Sequence, residues 1–142
     1  MKIIHVLPAL TKGGGERIAV ELANHASMAG HQVTIIVAFL VDPAFLQDEL
    51  DPRVQVLCVS SSMGSRIGHY FGIFPWLWCN HAWLAKQDIL HCHLTFGAVF
   101  GAVVGLWQCL SKTIQPAIVE TCHSVGMNIS WFKRFGAKFF NN

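Results

Sequence analysis

Residues 3–17 read IIHVLPALTKGGGER, and the order of apolar run, glycines and charged residues in this stretch decides the fold. The apolar run at 3–7 predicts a buried strand that ends at Pro8, and a segment with helical periodicity follows the three glycines. Glycine permits a tight turn and lets a ligand come close to the backbone. The start of a helix adds amide groups without partners and the positive end of the helix dipole. The loop is therefore either a plain turn between strand and helix or a site for a polar or anionic ligand.

The spacing of the glycines excludes two common phosphate-binding motifs. A dinucleotide fingerprint needs G-x-G-x-x-G, and a Walker A loop needs Gly-Lys-Ser or Gly-Lys-Thr after the glycines. Neither pattern occurs in residues 11–17. The loop does not by itself identify a nucleotide.

The first helix is predicted over residues 15–29, because apolar residues recur there at i and i+4. Its predicted packed face consists of Ile18, Leu22 and Ala26, with Ala19 and Ala23 beside them. Gly30 suits the position just after a helix, where glycine commonly ends it.

Strands and helices alternate along the rest of the chain. Strands are predicted at 2–7, 33–39, 54–59, 88–93 and 117–122, and helices at 45–50, 67–86 with a break near Pro75, 95–110 and 130–140. The run at 33–39 is continuously apolar, which is typical of a parallel strand covered on both faces. With right-handed crossovers this order predicts an α/β, Rossmann-like doubly wound parallel sheet. Ligands of such sheets bind at the carboxyl ends of the strands, here at 8–16, 93–97 and 122–126.

The composition predicts that part of the protein surface is apolar and contacts another domain, another chain or a membrane. The 142 residues suit one domain, but 53% are hydrophobic, only 13% are charged and the mean hydropathy is +0.44. Average domains carry about 25% charged residues. The apolar surface would face a second domain, a partner chain or a membrane. The two most apolar segments, 67–84 and 96–110, are respectively interrupted by polar residues and short of the length of a membrane span.

Net charge and cysteine content bear on whether the protein binds nucleic acid and on whether it contains disulfides. A net charge of +2 with scattered basic residues does not predict a nucleic-acid partner. The N-terminus has no secretory leader pattern, and five cysteines without a framework of spacings indicate reduced thiols. These features favour a cytoplasmic protein.

Histidines mark the ends of the fourth and fifth predicted strands. Alternation places His91 and His93 on one face of the sheet and Cys92 on the other. Two histidines could bind zinc, but a structural site usually takes four ligands with a recognisable spacing, so no metal is predicted. We expect His91 to pack within the sheet beside a hydrogen-bond partner, and His93 and His123 to face a cleft. His123 could donate to a sugar hydroxyl or a phosphate, or be a satisfied histidine at the domain edge. A Cys–His catalytic pair is not predicted, because neighbours along a strand point apart.

Three motifs in order resemble one family. MKIIHVLPALTKGGGERIAVELANHASMAGHQVTIIV resembles the opening of family 4 glycosyltransferases, whose members start with a strand, a Gly-Gly-x-Glu-Arg loop, a helix and Gly-His-x-Val. DILHCHLTFGAVFGAVVG and AIVETCHSVG resemble later strand ends of the same N-terminal domain. The resemblance covers nearly the whole chain and implies the GT-B fold, with two Rossmann-like domains around a cleft.

The resemblance also implies roles for individual residues. The amides of Gly13, Gly14 and Gly15 would bind the donor diphosphate or sugar, and His123 would be the catalytic residue beside the transferred sugar. The implied acceptor-binding residues are Glu16, Arg17, His93, Thr95 and Ser124. Transfer in this family retains anomeric configuration and usually needs no metal or other cofactor; the donor is commonly a UDP- or GDP-linked sugar.

Residues 1–142 are thus expected to be a single, incomplete N-terminal domain that acts with a C-terminal donor-binding domain or partner chain and is inactive alone. A glycan or lipid-linked acceptor, and peripheral attachment to the inner face of a membrane, would suit the apolar composition. The alternatives are a binding module for sugars or nucleotides without catalysis, and a small protein attached to a membrane surface.

Overall fold

The computed structural model describes residues 1–11, 13–39, 49–59, 66–113 and 115–121, and these form one five-stranded parallel sheet with helices on both faces. The strands are β1 (Lys2–Leu7), β2 (Gln32–Val37), β3 (Gln55–Cys58), β4 (Ile89–His93) and β5 (Ala117–Thr121). The helices are α1 (Gly14–Met28), α2 (Arg66–Phe71), α3 (Ile73–Leu84) and α4 (Leu94–Ser111). The helices predicted at 45–50 and 130–140 fall outside the described residues.

The strand order is β3-β2-β1-β4-β5, and every pairing is parallel. The chain moves outward from β1 to β3 and then returns to place β4 on the other side of β1. This reversal makes the carboxyl ends of β1 and β4 the switch point at which such sheets bind ligands. The predicted Rossmann-like α/β class is confirmed.

The packed face of α1 differs from the predicted one. Its buried residues are Ala19, Val20, Ala23 and Ser27. Ile18 and Leu22 stay exposed at 47% and 41%. The side chains of α1 that face the sheet are small, and this lets the helix pack closely against β1 and β2. The prediction is therefore correct for Ala19 and Ala23, and for Ala26, which packs partly against the same core, but wrong for Ile18 and Leu22.

The end of α1 is formed as predicted. Gly30 has a φ of 85°, and its amide donates to the carbonyl of Ser27 while the His31 amide donates to the carbonyl of Ala26. These two bonds are those of a Schellman motif, which requires a residue in the left-handed region.

The break in the segment 66–84 lies at Gly72, between α2 and α3. The break is thus near Pro75, as predicted, but Pro75 itself lies in the first turn of α3. An amide at that position has no partner within the helix, so proline removes no hydrogen bond there.

The other face of the sheet carries α3 and α4. Phe100 is fully buried in α4 and packs with Ile73 of α3 against Ile4 and Leu90 of the sheet. Helix α4 is the one described helix that is long and apolar enough to cross a membrane, a test that core helices of globular domains also pass. In this structure it lies on the sheet, with its glycines at 97 and 101 buried.

Gly97 sets the distance between α4 and the sheet. A Cβ atom there would lie 2.7 Å from the Val6 carbonyl oxygen and 3.1 Å from the Cys92 carbonyl carbon. Both are backbone atoms, so α4 itself would have to shift. Gly97→Ala should therefore lower the free energy of unfolding by about 1–3 kcal/mol, despite the better helix propensity of alanine. Urea unfolding measures the change.

Gly14→Ala is the matched control, since a Cβ atom at Gly14 meets no atom of the described residues within 4 Å. It should leave the free energy of unfolding nearly unchanged. Equal stability of the two variants would contradict the close approach of α4.

Candidate active site at the carboxyl ends of β1 and β4

The glycine loop leads from β1 to an uncapped helix. Gly13 is the N-cap of α1 with extended backbone (φ −80°, ψ 155°), and no side chain of the described residues caps the helix. The first bond of the helix runs from the Arg17 amide to the Gly13 carbonyl at 3.0 Å. The amides of Gly14, Gly15 and Glu16 therefore precede the helix's own hydrogen bonds, and the positive end of its dipole lies among them. Such amides can bind an oxyanion.

Charged side chains flank this helix start. The Glu16 carboxylate folds back over Gly13 and occupies the space that a Cβ atom would take. Arg17 is exposed and lies 3.7 Å from the Glu21 carboxylate one turn further along α1. A carboxylate stabilises the start of a helix through its dipole, but it also repels any phosphate that approaches the same amides.

The start of α4 meets the glycine loop. Leu94 has a φ of 58°, which a leucine seldom adopts, and a Cβ atom at Gly15 would lie 3.0 Å from its Cδ2 atom. Thr95 follows in the first exposed turn of α4. The predicted convergence of segments 8–16 and 93–97 is confirmed. The third segment, 122–126, lies outside the described residues, and so do His123 and Ser124.

Three histidines lie together beneath this edge, on the face of the sheet that α1 covers. Pairing of β1 with β4 places His5 beside His91, and alternation adds His93. The ring centroids of His91 and His93 are 4.1 Å apart, and that of His5 is 5.1 Å from His91. One ring nitrogen from each histidine lies within 4.8 Å of those of the other two. We did not predict His5; only the strand order, which puts β1 next to β4, could have indicated it.

The exposure of these histidines differs from our expectation. His93, expected to face a cleft, is fully buried, and its Nε2 lies 3.0 Å from His5 Nδ1. His91 is half-buried, with its Nε2 2.6 Å from Thr121 Oγ1, so it has the hydrogen-bond partner that we expected. An acceptor-binding role for His93 stays a prediction.

His5 is held neutral. It is 3% exposed, and burial together with the charge of His91 lowers its pKa from 6.5 to about 4. Its Nε2 atom has no hydrogen-bond partner among the residues that the structure describes. A buried polar atom without a partner costs about 1–3 kcal/mol, so this atom is a candidate for a ligand contact.

Cys92 is separated from the histidines. Its side chain packs on the α4 face, and burial together with Glu120 raises its pKa to about 12. A thiol of this kind is inert as a nucleophile at neutral pH. The expectation that Cys92 forms no catalytic pair with its histidine neighbours agrees with this placement.

A cleft of about 510 Å³ lies at the opposite edge of the sheet, beside the first residues of β1, β2 and β3. Ligands of open parallel sheets bind at the carboxyl edge. The candidate site therefore remains the rim formed by the glycine loop and the start of α4.

Acid should destabilise the fold through His5. The unfolded chain takes up a proton near pH 6.5, whereas folded His5 does so only near pH 4. The stabilisation is complete above about pH 6.5 and is lost as the pH falls towards 4, by up to about 3 kcal/mol. Within the part of the chain that the structure describes, His91 and His93 are the titratable groups that face His5. Urea unfolding at about pH 7 and about pH 4.5, in buffer with a chelator, measures the loss.

The His5→Asn variant should lose much of this pH dependence, whereas His25→Asn, a change of an exposed histidine on α1, should keep it. The same pH dependence in both variants would contradict the assignment to His5.

The sequence model of the family described as Glycosyltransferase Family 4 matches residues 12–142. A search of curated proteins found no match to this chain. The match covers most of the sequence, and the Rossmann-like parallel sheet is consistent with a GT-B domain. The chain belongs to glycosyltransferase family 4.

Proposed function

We propose that this chain is the acceptor-side domain of a retaining glycosyltransferase that moves a sugar from a UDP- or GDP-linked donor to a glycan or lipid-linked acceptor. Family membership supports the reaction class. The observation that carries the proposal is the uncapped start of α1 at the switch point of the sheet, next to the start of α4.

The amides of the glycine loop supply the diphosphate contacts in this proposal. Gly14 is exposed and open around its Cα atom, so a phosphate oxygen can reach the backbone there. Arg17 and Thr95 border the same rim and are the proposed acceptor contacts among the described residues. Glu16 shares that role and must leave Gly13 when a diphosphate binds.

The described residues contribute one sheet and hence one wall of a cleft between two domains. The base and ribose of the donor need a second wall, supplied by a C-terminal domain or partner chain. We therefore propose that the chain alone binds a donor weakly and transfers no sugar. His123 remains the proposed catalytic residue.

Diphosphate binding can be tested by amide shifts in NMR spectra. Addition of UDP should shift the amides of Gly13, Gly14 and Gly15, whereas uridine should not. Glu16→Gln should tighten UDP binding about three- to ten-fold, because it removes a negative charge from the phosphate position. The measurement is a titration of the glycine shifts.

Glu21→Gln is the matched control, since Glu21 lies on the same helix but one turn beyond the loop. It should leave UDP binding unchanged. Shifts confined to the amino edge of the sheet, near Gly30, would contradict the site. Robust sugar transfer by the chain alone would contradict the need for a second wall.

A second candidate function, attachment to a membrane surface, is favoured by the outer surfaces of α3 and α4. Their exposed apolar residues are Phe74, Trp78, Leu106, Trp107 and Leu110. Trp78 and Trp107 join the two helices edge to face at 6.1 Å between ring centroids. Neither helix contains an acidic residue, and exposed Lys86 and Lys112 follow their ends. This surface has the chemistry of an interface with anionic lipids.

Vesicle flotation tests this attachment. The chain should float with vesicles of mixed neutral and anionic phospholipids, and Trp78→Ser with Leu110→Ser should reduce binding about ten-fold by removing two exposed apolar groups. Leu22→Ser with Met28→Ser is the control, because both residues are exposed on α1, across the sheet. Equal flotation of both double variants, or none by the native chain, would contradict attachment through α3 and α4.

A further inference from the structure

We propose that His5, His91 and His93 form a binding site for a divalent transition-metal ion of the zinc type, which joins β1 to β4. This site lies beneath the rim of the candidate active site and does not depend on the proposed transfer reaction. The family resemblance implied no metal for transfer, and the ion proposed here takes no part in that chemistry.

The geometry of the three histidines carries the proposal. One nitrogen from each lies within 4.8 Å of the other two, and His5 Nδ1 is 3.0 Å from His93 Nε2. Ligand nitrogens of a tetrahedral zinc ion are about 3.3 Å apart, since zinc–nitrogen bonds are about 2.05 Å long. The 3.0 Å between His5 Nδ1 and His93 Nε2 is close to that spacing.

His5 is buried with only its Nδ1 atom in a hydrogen bond among the described residues. Its side chain is 97% buried, as its exposure is 3%, and Nε2 has no hydrogen-bond partner among the described parts of the chain. In either arrangement of the proton shared with His93, His5 is left with a buried lone pair or a buried N–H that contacts no acceptor. An ion bound by His5 Nδ1 takes the place of the proton shared with His93, because an imidazole lone pair is a good ligand for zinc. The remaining proton of His5 then lies on Nε2.

The surroundings of the cluster also suit a metal. His91 is oriented through its Nε2 contact with Thr121, the kind of outer contact that commonly fixes metal-bound imidazoles. Because His91 is half-buried, the cluster has a side through which an ion and a fourth ligand such as water can enter. Three neutral imidazoles and a water form a set that zinc accepts.

The position of the site predicts its consequence. His5 belongs to β1, and His91 and His93 belong to β4, so an ion held by all three links the two strands at the switch point. An ion that binds only the folded chain stabilises it by mass action. Saturating Zn²⁺ should therefore raise the melting temperature by about 5 °C or more, and a chelator should reverse the rise.

The experiment uses the full 142-residue chain, stripped of metal by a chelator. Calorimetry should show one Zn²⁺ bound per chain, and Co²⁺ in its place should give the visible absorption of a tetrahedral site with nitrogen ligands. His91→Gln removes a half-buried ligand and should weaken Zn²⁺ binding at least about ten-fold, whereas His25→Gln, on the exposed surface of α1, should not change it.

A second variant guards against misfolding. Thr121→Val keeps the three ligands but removes the hydroxyl group beside His91 Nε2, and it should also weaken binding about ten-fold. Circular dichroism of each metal-free variant establishes that it is folded. Absence of stoichiometric uptake by the native chain, or binding to folded His91→Gln as tight as to the native chain, would overturn the site.

Discussion

The parallel pairing of β1 with β4 is the contact on which the rest of the structure depends. It reverses the direction in which strands are added to the sheet, and it brings the loop after β1 to the start of α4. It also sets His5 beside His91, a contact between residues 86 positions apart in sequence. Gly97 allows α4 to lie directly against the backbone of both strands. The candidate active site and the histidine cluster both follow from this one ladder.

The sequence predicted the elements of this sheet well, because β1 and β2 are largely apolar runs and a glycine follows α1. β1 was predicted without error, and Gly30 ends α1 with the expected positive φ. The errors concern choices among similar residues. Ile18 is more hydrophobic than Ala19, but the depth at which α1 packs favours the smaller side chain. Proline disrupts a helix only when it lies in the helix interior. Pro75 lies in the first turn of α3, so it does not break that helix.

The site was less predictable, since its parts come from distant segments. Alternation along β4 gave the shared face of His91 and His93, but it could not give their burial, which depends on what covers that face. In the sequence, His5 is a single polar residue within an apolar strand. Only the pairing of β1 with β4 shows that it lies beside His91 and His93. The roles of His123 and Ser124 rest on the family resemblance, since both lie outside the described residues.

The two faces of the sheet differ in the chemistry of their buried side chains. On the α4 face the core is apolar, from Ile4 to Phe100, and Cys92 is buried there as an inert thiol. On the α1 face, next to the switch point, three imidazoles replace the aliphatic residues that β2 uses at Ile35 and Val37. Aliphatic side chains there would avoid the cost of a buried nitrogen without a partner. Stability alone would therefore favour valine or isoleucine in place of His5, and the metal site proposed above would give the three histidines a role that packing does not.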